Sequence, residues 1–287
     1  MSSNLSYLYD APGPKGRRRI RIGSVVSAVI IIAVVGAGLV QFGAHGQLDG
    51  QRWEPFVQWP IWGYMLGAYA TGTLAAAGLT AVMSAPLGVL FAIMRLSPVR
   101  VVRWVATAYI EVARTLPVLL LVYVMFFALP HYGINPPTIW KLAIPLTVAN
   151  SAAIAEIVRA GVLSLPRGQE EAALALGMRR RQAFLFVVLP QAFRSVTPSL
   201  VTQLVSLLKD TSLGYVLGFF ELLQAGTVLS SFNHLLIQDY LVIALIYLIT
   251  NGLLSFLAFR LRKWIDRRGI GSVTARPIVT LAPNTQG

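Results

Sequence analysis

EAALALGMRRRQAFLFVVLP, residues 171–190, is the stretch on which the reading of this chain turns. It is a polar, arginine-rich island between hydrophobic runs. Glu170 and Glu171 open it, where negative charge complements the N-terminal end of a helix dipole, and Pro166 stands just upstream. Ala172, Ala173, Ala175 and Leu176 are good helix formers, so one short helix is expected. Gly177 is a residue type that ends or bends a helix. Arg179, Arg180 and Arg181 then lead into a second short helix, which Pro190 is expected to limit. The expected shape is two short helices with a bend, protruding from a membrane on its basic side. By composition alone, a plain basic loop between spans fits equally well.

The surroundings fix the class. Of 287 residues, 56% are hydrophobic and only 12% charged, which no soluble domain with an ordinary surface can sustain. The chain reads as an all-α integral membrane protein. Its excess of 24 Lys and Arg over 11 Asp and Glu could suit nucleic acid, but the basic residues sit in the gaps between apolar runs. Topology explains them, and no nucleic-acid partner is expected. With no cysteine, disulfide and thiol chemistry are excluded.

Six spans are expected. Residues 1–22 form a polar tail ending in Arg17-Arg18-Arg19 and Arg21, followed by an uncharged run over Gly23–Phe42. That run is too long for a signal peptide. Trp53, Trp59 and Trp62 suit the far interface. The next spans are read at Gly63–Met94, Trp104–Leu129, Trp140–Val162, Val196–Leu217 and Tyr240–Leu261. In the third, Arg114-Thr115-Leu116-Pro117 makes a kink plausible. Phe219–His234 reads as a loop with room for a short helix, and the tail beyond Leu261 is polar. The N-terminal tail, the gap at 95–103, the island with its flanks and the C-terminal segment hold 20 of the 24 Lys and Arg. By the positive-inside rule both termini and the island are cytoplasmic.

The spacing within 171–190 resembles the EAA loop of ABC importer permeases: EAA, three residues, Gly, nine residues, Ile-x-Leu-Pro, with Val187 here in place of Ile. RTLPVLL (114–120), AEIVRAGVLSLPRGQEEAALALG (155–177), LPQAFR (189–194) and LLKDTSL (207–213) are similar to the polar amino acid branch, the glutamate, glutamine and histidine type. The opening DAPGPKGRRR and Trp53-Glu54-Pro55-Phe56 look like glutamate permeases of Gram-positive bacteria. This resemblance implies a five-helix type I ABC importer permease core over 63–261, plus an extra N-terminal helix at 23–43 and cytoplasmic tails at 1–22 and 262–287. It implies two ATPase subunits, a second permease that is identical or homologous, and an extracellular amino-acid-binding protein. Glu170, Glu171, Ala172, Ala173, Gly177, Arg179, Arg180, Leu189 and Pro190 would be the ATPase-coupling residues. The chain has no GxxxxGK[ST] phosphate loop, so ATP and Mg would be bound by the partner ATPases, and this subunit would be neither an enzyme nor a cofactor carrier.

Charges within spans are costly enough to be functional candidates. Ala149, Ala152, Ala153, Glu156 and Ala160 fall on one helical stripe, where Glu156 could face a substrate ammonium or pair with Arg159 at i+3. Both readings stand open. Glu111 and Arg114 are expected to form an intrahelical pair. Adjacent Lys209 and Asp210 cannot face each other and are each expected to pair with another span, with Thr211 and Ser212 compatible with local unwinding. Asn150 and Gln203 complete the substrate-pathway candidates. His45, His131 and His234 stand apart, so no metal site is expected. Two rival functions remain: an ion-coupled secondary amino acid transporter, with a proton on Glu156 or Asp210, and a membrane scaffold or sensor.

Overall fold

The computed structural model describes residues 13–267, all of whose regular elements are helical. Residues 1–12 and 268–287, which include the Asp10-Ala11-Pro12 of the N-terminal resemblance and most of the C-terminal tail, lie outside the described residues. The chain divides into two compact units, Met1–Ile61 and Trp62–Gly287.

In the first unit, helix α1 spans Pro14–Ala44. It begins earlier than the expected Gly23 because the basic run Lys15–Arg21 winds into the same helix, with Pro14 at its start where a missing N–H costs nothing. Ile30, Ile31, Ile32, Val34 and Val35 are all exposed, as suits a lipid-facing helix. Beyond it Trp53 donates from Nε1 to Gln47 O (3.1 Å) and packs on Phe56.

The second unit is built on α2 (Trp59–Arg95) packed against α5 (Thr138–Ser164). On α2 the buried positions Ala76, Thr80, Ser84, Gly88 and Ala92 recur every four residues. On α5 the matching row is Ala143, Thr147, Ser151 and Ala155. Small residues let two backbones approach closely where lipid supplies no hydrophobic drive. At Gly88 a Cβ would collide with Ile154 and with Ser151 O.

The expected third span is two helices. α3 (Arg100–Thr115) and α4 (Val118–His131) meet at 91°. Leu116 is extended (φ −74°, ψ 128°), the conformation imposed on a residue preceding proline, and Pro117 cannot donate to continue the ladder. The break carries the chain between two apolar cores. Ile110 and Ala113 of α3 join Ala92, Ala152, Ala155, Val158 and Leu189, whereas Val122 of α4 joins Ala76, Leu142, Leu146, Leu207 and Phe219. Between these cores on the α2–α5 seam lie the hydroxyls of Thr80, Ser84 and Thr147, buried and without hydrogen-bond partners among the described residues.

α6 (Gly168–Ala175) follows, and then α7 (Arg180–Leu217). Contrary to expectation, Pro190 does not limit the second arm of the island. Ala183–Val188 winds as a π-turn, and Pro190 falls in the first turn of the α-helical stretch Leu189–Asp210, where no N–H is required of it. The arm and the fifth span are therefore one helix, which starts well before the expected Val196. The segment read as a loop holds a full helix, α8 (Leu222–Asn233), and α9 runs over Leu236–Arg267. Among the described residues five helices are long and apolar enough to cross a membrane, or six spans counting the bent pair as one.

Candidate functional site

The island folds into a capped hairpin. Gly177 takes φ +83°, its N–H bonds Leu174 O (2.9 Å), and the Met178 N–H bonds Ala173 O (3.2 Å). These are the two bonds of a Schellman ending, which favours glycine at this position. The second arm begins with Arg179 N–H donating to Gln182 Oε1 (2.9 Å), and Gln191 Nε2 donates to Gln169 Oε1 (3.1 Å) across the hairpin. Of the expected coupling residues, Ala173 and Leu189 are buried and anchor the hairpin. Glu170, Glu171, Ala172, Gly177, Arg179, Arg180 and Pro190 are exposed, beside the bare apolar side chains Leu176 (85% exposed) and Phe186 (69%). Such a surface of mixed charge and bare apolar groups is suited to a protein partner.

Where α2 ends, charges from three helices converge. Arg95 bonds Glu156 through one guanidinium nitrogen and Glu111 through the other (2.8 Å), and Arg159 bonds the remaining oxygen of Glu156 (3.1 Å). Of the two readings of Glu156, the structure has the pair with Arg159, and Arg95 adds a second cation. The expected Glu111–Arg114 pair is not formed: Arg95 takes Glu111, and Arg114 is exposed with no ion pair among the described residues. Of the alanine stripe on which Glu156 was read, Ala152 is buried in the core, Ala149 and Ala153 are half-buried like Glu156, and Ala160 is exposed.

A cavity of about 250 Å³ lies beside the hydroxyl belt. Its polar lining is Ser84, Asn150 and Gln203, among Val89, Ile154, Phe193, Leu200 and others. Gln203 Nε2 donates to Asn150 Oδ1 (2.7 Å), and Asn150 Nδ2 donates to Leu146 O (2.9 Å). Two expected pathway residues from separate spans are thus brought together, and no lining residue is charged. Lys209 and Asp210 are not paired with other spans; neither has an ion pair among the described residues. The α-helical turns end at Asp210 and continue as a 3-10 helix over Thr211–Leu217, with Thr211 and Ser212 hydroxyls bonded to Leu208 O and Lys209 O. The helix thus tightens at Thr211 and Ser212, where local unwinding was read.

Sequence reasoning missed Glu221. It is fully buried, caps α8 by accepting from Gln224 N–H (2.8 Å), and accepts from Tyr247 (3.0 Å) and Thr73 (3.3 Å) hydroxyls. An acidic residue just before the Leu222-Leu223 pair that opens a helix-length run was the signal available. Gly72, in a π-turn of α2, makes the approach possible, since a Cβ there would collide with Phe220 O and Glu221 Cα.

Residues 84–270 match the family described as "Binding-protein-dependent transport system inner membrane component". The chain belongs to this family. It is a permease subunit of an ABC amino acid importer, a multi-pass inner-membrane transport subunit that works in a complex with ATPase subunits. The glutamate transport system permease protein GluD of Corynebacterium glutamicum is 36% identical over 222 residues, 76% of this chain and 81% of the relative. The probable glutamine ABC transporter permease protein GlnM of Bacillus subtilis is 35% identical over 204 residues, 71% of this chain and 94% of the relative. Among solved structures, an amino acid ABC transporter crystallised with histidines superposes with a TM-score of 0.66 at 29% identity, over 70% of this chain and 94% of that one. The family match begins inside α2 and leaves α1 outside it.

Proposed function

We propose that this ABC permease imports glutamate or glutamine, with glutamate favoured, and that partner ATPases drive it through the hairpin at 171–190. The observation that carries this reading is the continuity of α7. One end, Arg180, is the hairpin's second arm, and Leu200, Gln203, Leu204 and Leu207 further along the same helix line the cavity. Movement of the hairpin is therefore carried to the cavity wall along one helix, past the π-turn at Ala183–Val188 and Pro198. ATP and Mg bind the ATPases, and their closure acts on two hairpins, one from this chain and one from a second permease subunit. A binding protein delivers the amino acid from outside. Both termini and the hairpin face the cytoplasm, on the positive-inside count.

Within the chain, Asn150 and Gln203 offer the substrate amide N–H and carbonyl groups at the cavity. Glu156 and Arg159 act from the ionic cluster instead of as free counter-charges. Arg114, Lys209 and Asp210, which have no ion pair among the described residues, are the charges left to meet substrate or the second subunit. An ion-coupled transporter would function without the hairpin's partner. The discriminating experiment is uptake of radiolabelled glutamate and glutamine by cells lacking the permease, complemented with wild type or Gly177→Asp. Loss of uptake with Gly177→Asp, at equal membrane abundance, supports the reading; undiminished uptake overturns it.

A further inference from the structure

Arg95 is the last residue of α2, and its side chain is only 17% exposed. Its fork reaches α3 at Glu111 and α5 at Glu156 through separate nitrogens, a geometry that lysine's single ammonium cannot reproduce. One turn inward the same three helices touch again. Phe91 stacks on Tyr109 with ring centroids 3.9 Å apart, and Tyr109 shares a hydrogen bond with Ser151 (2.8 Å). The cluster of two guanidiniums and two carboxylates is neutral as a whole. Without Arg95 it would hold two carboxylates against one cation.

The position of this cluster gives it a use. α5 ends at Ser164 and leads through Leu165-Pro166 directly into α6, the hairpin's first arm. The hairpin's Leu189 packs in the apolar core that contains Ile110 and Ala113 of α3. Beyond α3 lies the 91° break, and beyond that α4, whose Val122 packs in the other core. We propose that Arg95 is a positioning residue for transport: it makes α3 follow α5 when the hairpin is displaced, so that the displacement reaches the Leu116–Pro117 break and the outer helix. If that tie is removed, α5 slides past α3 and ATP turnover no longer moves the far half of the broken span. This inference rests on the hairpin being the site of ATPase action.

The test uses the complete complex, with ATPase and binding protein, reconstituted in liposomes, and reads ATP hydrolysed alongside labelled glutamate and glutamine taken up. Arg95→Ala is expected to keep hydrolysis within about twofold while uptake per ATP falls about tenfold. Arg95→Lys is expected to lie between it and wild type, as is Glu111→Gln. A merely structural role lowers the amount of assembled complex and reduces both activities together. An unchanged uptake-per-ATP ratio in Arg95→Ala therefore overturns the inference. The broader reading fails separately: if the wild-type complex takes up neither amino acid, the substrate assignment is wrong, and the Arg95 ratio is then read with whichever labelled amino acid the complex does import.

Discussion

The two ends of the helical unit are held together by different chemistry. At the end that carries the hairpin, Arg95, Glu111, Glu156 and Arg159 are joined as ions, with Glu111 57% and Arg159 31% exposed. At the other end Glu221 is fully buried and has no cation beside it among the described residues; Thr73 and Tyr247 hydroxyls and the Gln224 N–H satisfy it instead. Coulomb attraction falls off gently with distance, so an ionic contact survives small displacements. Hydrogen bonds to a buried carboxylate hold only within a narrow range of length and angle, and an unmade one is costly. The first kind of joint yields while staying joined, as an end displaced by a motor requires. The second kind fixes one geometry, and here it pins α8 to α2 and α9.

The sharpest way to break this contrast is Glu221→Ala. It removes the cap of α8 and the carboxylate that accepts from two hydroxyls, at a cost of about 3–5 kcal/mol. Thermal unfolding of the detergent-solubilised complex, followed by fluorescence of the six Trp residues, should show the largest loss here. Tyr247→Phe deletes one donor to the same carboxylate and should cost about 1.5–3 kcal/mol in the same assay. Arg95→Ala should cost about 1–2 kcal/mol, because Arg95 and Glu156 are mostly buried while Glu111 is hydrated and Glu156 keeps Arg159. Its effect is instead expected on uptake per ATP. Glu111→Gln should fall within about 0.5 kcal/mol of wild type, since an exposed carboxylate contributes little to stability. If Arg95→Ala destabilised more than Glu221→Ala, the distinction between a yielding and a fixed end would be reversed.

Much of this was legible in the sequence. Span count and the bend at Gly177 follow from hydropathy and the one residue that tolerates φ +83°. The ends of elements were less legible. Pro190 looked like a stop, but a proline in the first turn of a helix is neutral, and the π-turn before it put it there. Pro117 gave the opposite error: read as a kink, it is a right-angled break because Leu116 leaves the helical region.

The ion pairs illustrate a different limit. Local spacing proposes i, i+3 partners, so Glu111–Arg114 was expected, but spacing is blind to an arginine arriving from another helix. Arg95 looked like one more positively charged flank. The packed faces of α2 and α5 were written in plain four-residue periods, Ala76-Thr80-Ser84-Gly88-Ala92 and Ala143-Thr147-Ser151-Ala155. The neighbouring alanine stripe through Glu156 drew attention because it held a charge. Asn150 and Gln203 were chosen from residue type alone, and only the fold brings them within 2.7 Å.

The central claim is that the hairpin is the surface on which the ATPase acts. Because the chain has no cysteine, Ala172→Cys introduces a unique thiol on the hairpin's exposed face. The decisive measurement is thiol-directed crosslinking from that position in membranes of cells producing the whole transporter. The account predicts a crosslinked product containing the ATPase subunit, with a yield that changes when nucleotide is trapped. A thiol that never reaches the ATPase, or that reacts with a membrane-impermeant reagent added outside intact cells, would contradict it.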